Sequence, residues 1–173
     1  APNDVYVLGR YAYVTNQTRP EYDADNSNAY VVTTDDIGST GTVQNLLLMK
    51  SSPTKRIMVD KVVCTATKAG GFSVYKNVTS VLTGGTVLTA NNVVVTGTVG
   101  TASIVSIPSI TGGTLFIDTA NVVASDSRVF ENAGGIPLMI MPAETPTTRL
   151  FIRFTQTITT INTKNVTVYW REL

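Results

Sequence analysis

Histidine is absent from this chain of 173 residues. No imidazole can act as a general base, and none can ligate a metal. Cysteine occurs once, at Cys64, which excludes a disulfide within the chain and any cysteine-cluster zinc site. Charge is scarce: 14% of residues are charged and the net charge is +1, against ~25% charged in ordinary soluble domains. No basic field exists to hold a nucleic-acid backbone, so no nucleic-acid partner is expected. No apolar run approaches the ~18 residues of a membrane helix, so no membrane partner is expected either. No secretory leader pattern is visible in the sequence. The phosphate-cradling patterns Gly-x-x-x-x-Gly-Lys-Ser/Thr and Gly-x-Gly-x-x-Gly do not occur.

What the chain has in abundance is threonine, 28 residues, and valine, 23 residues. Branching at Cβ stiffens these side chains and suits a pleated, half-buried surface. An all-helical protein is excluded, and Val122–Ala133 is the best helical candidate in a weak field. From about residue 43 the chain reads as short strands between turns, among them Val43–Lys50, Arg56–Ala66, Gly71–Asn77, Leu150–Thr157 and Asn165–Glu172. In Arg56–Ala66 the set Met58, Val62, Cys64, Ala66 alternates with Ile57, Val59, Val63, so this strand is expected to lie apolar on both sides between two layers. Paired glycines at Gly70-Gly71, Gly84-Gly85, Gly112-Gly113 and Gly134-Gly135 supply turns and bulges. About ten strands at ~8–12-residue spacing predict an all-β sandwich or barrel. Its expected core includes Ile57, Val59, Val63, Phe72, Val74, Phe154, Val168 and Trp170.

Residues 1–40 differ from the rest. They hold six of the 12 acids and five of the seven tyrosines. Gly9, Pro20 and the polar stretch Asp23-Ala24-Asp25-Asn26-Ser27-Asn28 break any strand period. This predicts an irregular N-terminal arm over 1–40 ahead of a folded domain over 41–173.

No constellation carries a catalytic signal. Ser52 and Lys55 have the Ser-x-x-Lys spacing, but on a Pro-bearing segment that reads as a solvated turn. Of the acids outside the arm, Asp60, Asp118, Asp126, Glu131, Glu144 and Glu172, only Asp126 and Glu131 lie close in sequence, and a glycosidase is not expected. Asp23 and Asp25 offer alternating oxygens to calcium, yet the glycine and the bidentate glutamate of an EF-hand are missing, and a solvated acidic loop accounts for them. Cys64 reads as a core residue. The expectation is no enzyme, no catalytic residues, no metal and no cofactor.

The succession of segments then becomes specific. Leu46-Leu47-Leu48-Met49-Lys50, Pro53 and Arg56-Ile57-Met58-Val59-Asp60-Lys61-Val62 are followed by Gly71-Phe72-Ser73-Val74-Tyr75-Lys76-Asn77. Thr83-Gly84-Gly85-Thr86-Val87-Leu88-Thr89 and Asn91-Asn92 come next, and Val166-Thr167-Val168-Tyr169-Trp170-Arg171-Glu172 closes the chain. In this order, over about 43–173, they resemble jelly-roll virion structural proteins of tailed bacteriophages. The resemblance implies a jelly-roll-like β-sandwich and a capsid cement or decoration protein that stabilises the phage head shell. It also implies a location at the capsid surface, the major capsid protein as partner, and a homo-oligomer, in this family often a trimer. The alternative it leaves open is a receptor- or glycan-binding head-fibre or tail module. Members attach through an N-terminal arm or one end of the jelly roll. On this chain the arm offers Tyr6, Arg10, Tyr11, Tyr13, Arg19 and Tyr22, and aromatics with arginine are the usual interface anchors.

Overall fold

The computed structural model describes residues 4–8, 11–15, 28–50, 52, 54–76, 78, 84–93, 100–106, 108, 114–122, 126–130, 138–140 and 149–173. These residues form fifteen strands and, among them, no helix. Strands β1 (Asp4–Leu8) and β2 (Tyr11–Thr15) pair antiparallel as a two-stranded sheet of their own, with Tyr6 opposite Tyr13. The others build two antiparallel sheets. The first runs in the order β12 (Asp126–Phe130), β6 (Ile57–Ala66), β15 (Asn162–Glu172), β3 (Ala29–Thr33), β9 (Asn91–Asn92). It also takes β13 (Leu138–Ile140) onto β6 and β4 (Ile37–Ser39) onto β15. The second runs β11 (Thr114–Val122), β7 (Gly70–Lys76), β14 (Leu150–Thr155), β5 (Val43–Met49), β10 (Ile104–Ser106), β8 (Thr86–Leu88).

The pairing is nested. β3 pairs with β15, β5 with β14, β6 with β12 and β7 with β11, each pair antiparallel. Along these eight strands the chain rolls up from its two ends inward, alternating between the sheets through β3, β5, β6 and β7 and again through β11, β12, β14 and β15. This double Greek-key winding is a jelly roll. Short strands β8, β9 and β10 lie between β7 and β11 in sequence and extend both sheets past β5 and β3.

Burial follows the pleat, with two informative exceptions. Along β15 the even positions from Asn162 to Glu172 are all buried, the period-2 signal of a strand with one face on the core. Its partner β6 buries Ile57 and Val59, then Val62, Cys64 and Ala66. The phase changes because the register slips at one point: Tyr169 faces Lys61 while Trp170 faces Val59. Asp60 is therefore a bulge residue, and a bulge switches which parity faces inward. This corrects the two-faced expectation for this strand, and it leaves Val63 half-buried where Val62 takes the core position. A second slip leaves Leu46 unpaired between Asn45 and Leu47 on β5, so Leu46, Leu47 and Met49 all reach the main core. Leu48 turns to the other side of the second sheet, where it packs with Phe151, Val78 and Tyr75. The Arg153 guanidinium covers this small cluster, 4.9 Å above the Tyr75 ring.

The other expected core residues, Ile57, Val59, Phe72, Val74, Phe154, Val168 and Trp170, are buried. Cys64 is fully buried too, and burial pushes its thiol far above the ordinary range, so it behaves as an inert apolar residue. Gly84 and Gly85 have positive φ just before β8, as a glycine turn requires. Gly70 serves differently: a Cβ there would collide with the Phe154 ring and lie 2.7 Å from the Thr155 carbonyl oxygen. The candidate helix at 122–133 is instead strand β12 over Asp126–Phe130, in register with Ala66–Val62. The sandwich also begins earlier than residue 41. Tyr30, Val32 and Ile37, on β3 and β4, are all core residues.

Lys164 is the unusual member of the β15 inward row. It is fully buried between Ala66 and Ile37 in register. Its Nζ donates to the Ser39 carbonyl at 3.3 Å and lies 5.4 Å from the Phe154 ring. Among the described residues no carboxylate stands within ion-pair distance of it. Burial lowers its pKa, so the charged form costs stability below that lowered value, and the cost is relieved as pH rises toward the unfolded pKa. Replacing Lys164 with Met keeps the stem and removes the charge. Denaturant unfolding of this variant at pH 7 is expected to show unchanged or increased stability; a loss above about 2 kcal/mol would show that the ammonium contributes net stabilisation.

Candidate functional site

The densest polar constellation lies where β15 ends. Strand alternation turns Glu172 inward, and its side chain is completely buried. Its carboxylate accepts four hydrogen bonds. The Thr101 amide donates at 2.8 Å to Oε1, the Ala102 amide at 2.9 Å to Oε1, the Thr101 hydroxyl at 2.7 Å to Oε2, and the Trp170 indole N–H at 3.3 Å to Oε1. The Lys55 ammonium stands 3.7 Å from Oε2. Burial raises the carboxyl pKa; the Thr101 hydroxyl, the Thr101 and Ala102 amides and the indole lower it, and together they outweigh burial and hold the group below its ordinary value. A carboxyl lowered in this way contributes stability above the unfolded pKa and loses it as pH falls through the folded one.

The network continues into the segment between β5 and β6. Ser52 is fully buried, and its Oγ accepts the amides of Thr54 at 3.3 Å and Lys55 at 3.1 Å. Ser52 Oγ and Thr101 Oγ1 are 2.7 Å apart. Thr101 has one hydroxyl hydrogen, and a carboxylate can only accept. The consistent arrangement has Ser52 donating to Thr101 and Thr101 donating to Glu172. The Ser-x-x-Lys pair is therefore not a solvated turn. Ser52 is sealed and its lone pairs are occupied by amides, while Lys55 points at a carboxylate. Gly100 closes the packing: a Cβ there would stand 2.9 Å from Glu172 Oε1 and 3.0 Å from the Ala90 Cβ.

Asp60, at the bulge, accepts from Arg171 Nε at 2.9 Å and pairs with Arg171 Nη2 at 2.6 Å. Arg171 sits one position before Glu172 and so projects to the opposite side of the strand. No group of three or more acidic or thiol residues that could hold a metal occurs among the described residues. The Asp23/Asp25 loop lies outside them. Of the arm residues, Tyr6, Tyr11 and Tyr13 fall on the β1–β2 hairpin, with Tyr11 opposite Leu8, whereas Arg10, Arg19 and Tyr22 lie outside the described residues.

A surface depression of about 330 Å³ lies on the first sheet, lined by Asp36, Thr65, Thr67, Ser127, Thr163 and Asn165 among others. Its polar groups are largely engaged with the protein itself. The Thr67 hydroxyl donates to Asn162 Oδ1 at 3.2 Å, and the Asn165 amide donates to the Thr34 carbonyl at 2.6 Å. No aromatic ring lines it, so it offers no stacking platform for a sugar.

The strand pairing defines this protein's class as a jelly-roll β-sandwich. No protein-family model matches the chain, and no curated protein matches it. Among solved structures it is similar to a protein described under "The 2.6A structure of Infectious Bursal Virus Derived T=1 Particles", with 14% identity and a TM-score of 0.22. That likeness covers 96% of this chain, which spans 44% of the length of the other. At that score the likeness carries no argument, and the fold assignment rests on strand order alone.

Proposed function

We propose that the chain is a virion structural protein, a cement or decoration protein that binds the major capsid protein at the surface of a phage head. The observation that carries the reading is the nested order β3–β15, β5–β14, β6–β12, β7–β11; it is a jelly roll, the fold that the sequence resemblance implied and that virus shell domains use. A fold does not name a function by itself; what narrows the choice is chemistry. The chain has no histidine, and the buried Ser52 and Glu172 of the polar network are engaged by the chain's own donors. It acts without enzymatic activity, metal or cofactor in this reading. Two edge strands on one flank, β11 and β12, carry exposed Leu115 and Val129, and association as a homotrimer covers such edges. The segment ahead of Asn28, with Tyr6, Arg10, Tyr11, Tyr13, Arg19 and Tyr22, is the attachment arm. The alternative is a receptor- or glycan-binding fibre module, to which the depression on the first sheet offers no aromatic ring.

The test is a chain that begins at Asn28, so that β3 and β4 are kept. It is expected to fold and oligomerise like the full chain but to leave capsids lacking the native protein undecorated. Decoration with unchanged affinity would move the attachment surface onto the jelly roll. Binding by the full chain to a glycan array and not to capsids would replace the proposal with the fibre reading.

A further inference from the structure

Strands β1 and β2 form a two-stranded sheet separate from both sheets of the roll. Their register sorts ten residues between two faces, because successive residues of a strand alternate. On one face Tyr6 lies opposite Tyr13 and Leu8 opposite Tyr11, with Asp4 and Thr15 at the open end. On the other face Val5 lies opposite Val14 and Val7 opposite Ala12. One face is thus largely aromatic and the other aliphatic, and Asp4 alone of the ten is charged. β15 shows the contrasting pattern of a strand covered on one side: Thr163, Asn165, Thr167 and Tyr169 stand half-buried or exposed between buried neighbours. A face that meets water reads polar, whereas strands covered on both faces read as near-continuous apolar runs. The hairpin reads as the second kind, and two strands alone are marginally stable at best in water.

We propose that the β1–β2 hairpin is the gripping element of the attachment arm and seats in an apolar, uncharged slot of the shell whose two walls cover its two faces. The proposal rests on the capsid-attachment reading above and names the partner surface. The arm leaves the roll at a defined place. The Asn28 carbonyl accepts the Glu172 amide at 3.0 Å, so the arm departs at the Glu172 end of β15, whereas Ser39 pairs with Asn162 at the other end. Twelve residues, 16–27, separate Thr15 from Asn28. An extended chain of that length spans at most roughly 40 Å, and the slot lies within that reach of the Glu172 end. With no charge from Val5 to Leu8 or from Tyr11 to Thr15, docking draws on apolar burial, and screening by salt leaves it unchanged.

The test measures binding of the full-length chain to parent capsids lacking the native protein, with one substitution on each face. Val7→Thr alters the aliphatic face and Tyr13→Thr the aromatic one; threonine favours strands, so the hairpin is kept. Each is expected to weaken binding on the order of tenfold or more. Affinity is expected to stay level as salt is raised, and the unfolding midpoint and oligomer mass of the free protein are expected to match those of the native chain. Weakening by one variant alone would mean a single wall and overturn the slot. A steep loss of affinity with salt would mean a charged partner surface and overturn it as well. A lowered midpoint or a loss of oligomer mass would assign the cover to the chain's own sandwich or to a second copy, and the proposal would fall. If neither variant weakens binding while a chain beginning at Asn28 fails to decorate, the slot falls and the attachment arm stands. Decoration by that truncated chain removes both.

Discussion

Trp170→Ala is expected to lower the unfolding free energy by on the order of 3–5 kcal/mol, measured by denaturant unfolding. The indole is 1% exposed and stacks on Tyr30 with centroids 5.7 Å apart and planes at 25°. It sits on β15, which pairs with β6 on one side and with β3 on the other, so neither neighbour can collapse without dragging a sheet with it. The cavity term therefore adds almost in full to the lost transfer free energy. A second loss is polar: the indole N–H is one of the four donors on Glu172, and a buried carboxylate one donor short is more costly than a neutral group in that position. Trp170→Phe separates the two, since it keeps a ring and removes the N–H; it is expected to cost roughly 1–2 kcal/mol. A loss under about 1 kcal/mol for the Ala variant would mean that the ring contributes no more than a surface side chain.

Trp170 also shows what was legible in the sequence. Val166, Val168 and Trp170 alternate with Thr167 and Tyr169, and the structure buries the first set and leaves Tyr169 exposed. Period-2 patterning works where a strand is regular. It misleads on β6 because one bulge at Asp60 changes the phase, and no local residue pattern announces a bulge. Asp60 and Lys61 interrupt the apolar alternation of β6; Asp60 is the extra residue and the partner of Arg171. The early strands β3 and β4 were hidden for a different reason. They are five and three residues long, and the acids around them, Asp23, Asp25, Asp35 and Asp36, resemble a solvated tail. Their stability comes from pairing with β15, more than 120 residues downstream, and long-range pairing leaves no mark on a local window.

The polar network was legible only as separate pieces. Glu172 stood among six unassigned acids and Ser52 and Lys55 in what read as a surface turn. Thr101 had no distinguishing feature at all. What joins them is the jelly-roll closure, which brings Ser52, Thr54, Lys55, residues 100–102 and residues 170–172 to one place. Gly70 belongs with these: its pairing with Gly71 suggested a turn, whereas its role is to let the Phe154 ring approach the backbone.

The boundary at the N-terminus carries the second large effect. A chain that begins at Val43 is expected to lose cooperative unfolding altogether, whereas a chain that begins at Asn28 keeps it. Starting at 43 deletes Tyr30, Val32 and Ile37, which are 2%, 3% and 5% exposed. Each fully buried side chain of this kind contributes roughly 1.5–3 kcal/mol, and the sum is comparable to the ~5–15 kcal/mol total of a typical domain. The polar losses act in the same direction. Thr34 exchanges backbone and hydroxyl hydrogen bonds with Val166, its amide donating to the carbonyl at 2.9 Å and its Oγ1 accepting the Val166 amide at 3.0 Å. Among the described residues β3 is the sheet partner of β9, and the truncation removes it. β15, eleven residues long, becomes a bare edge along the eight residues that had paired with β3 and β4, which is the geometry that promotes aggregation. Circular dichroism melts of the two truncated chains, with the full chain as reference, make the comparison. A cooperative transition for 43–173 at the full chain's temperature would show that β3 and β4 rest on the sandwich without supporting it and would return the domain boundary to residue 41.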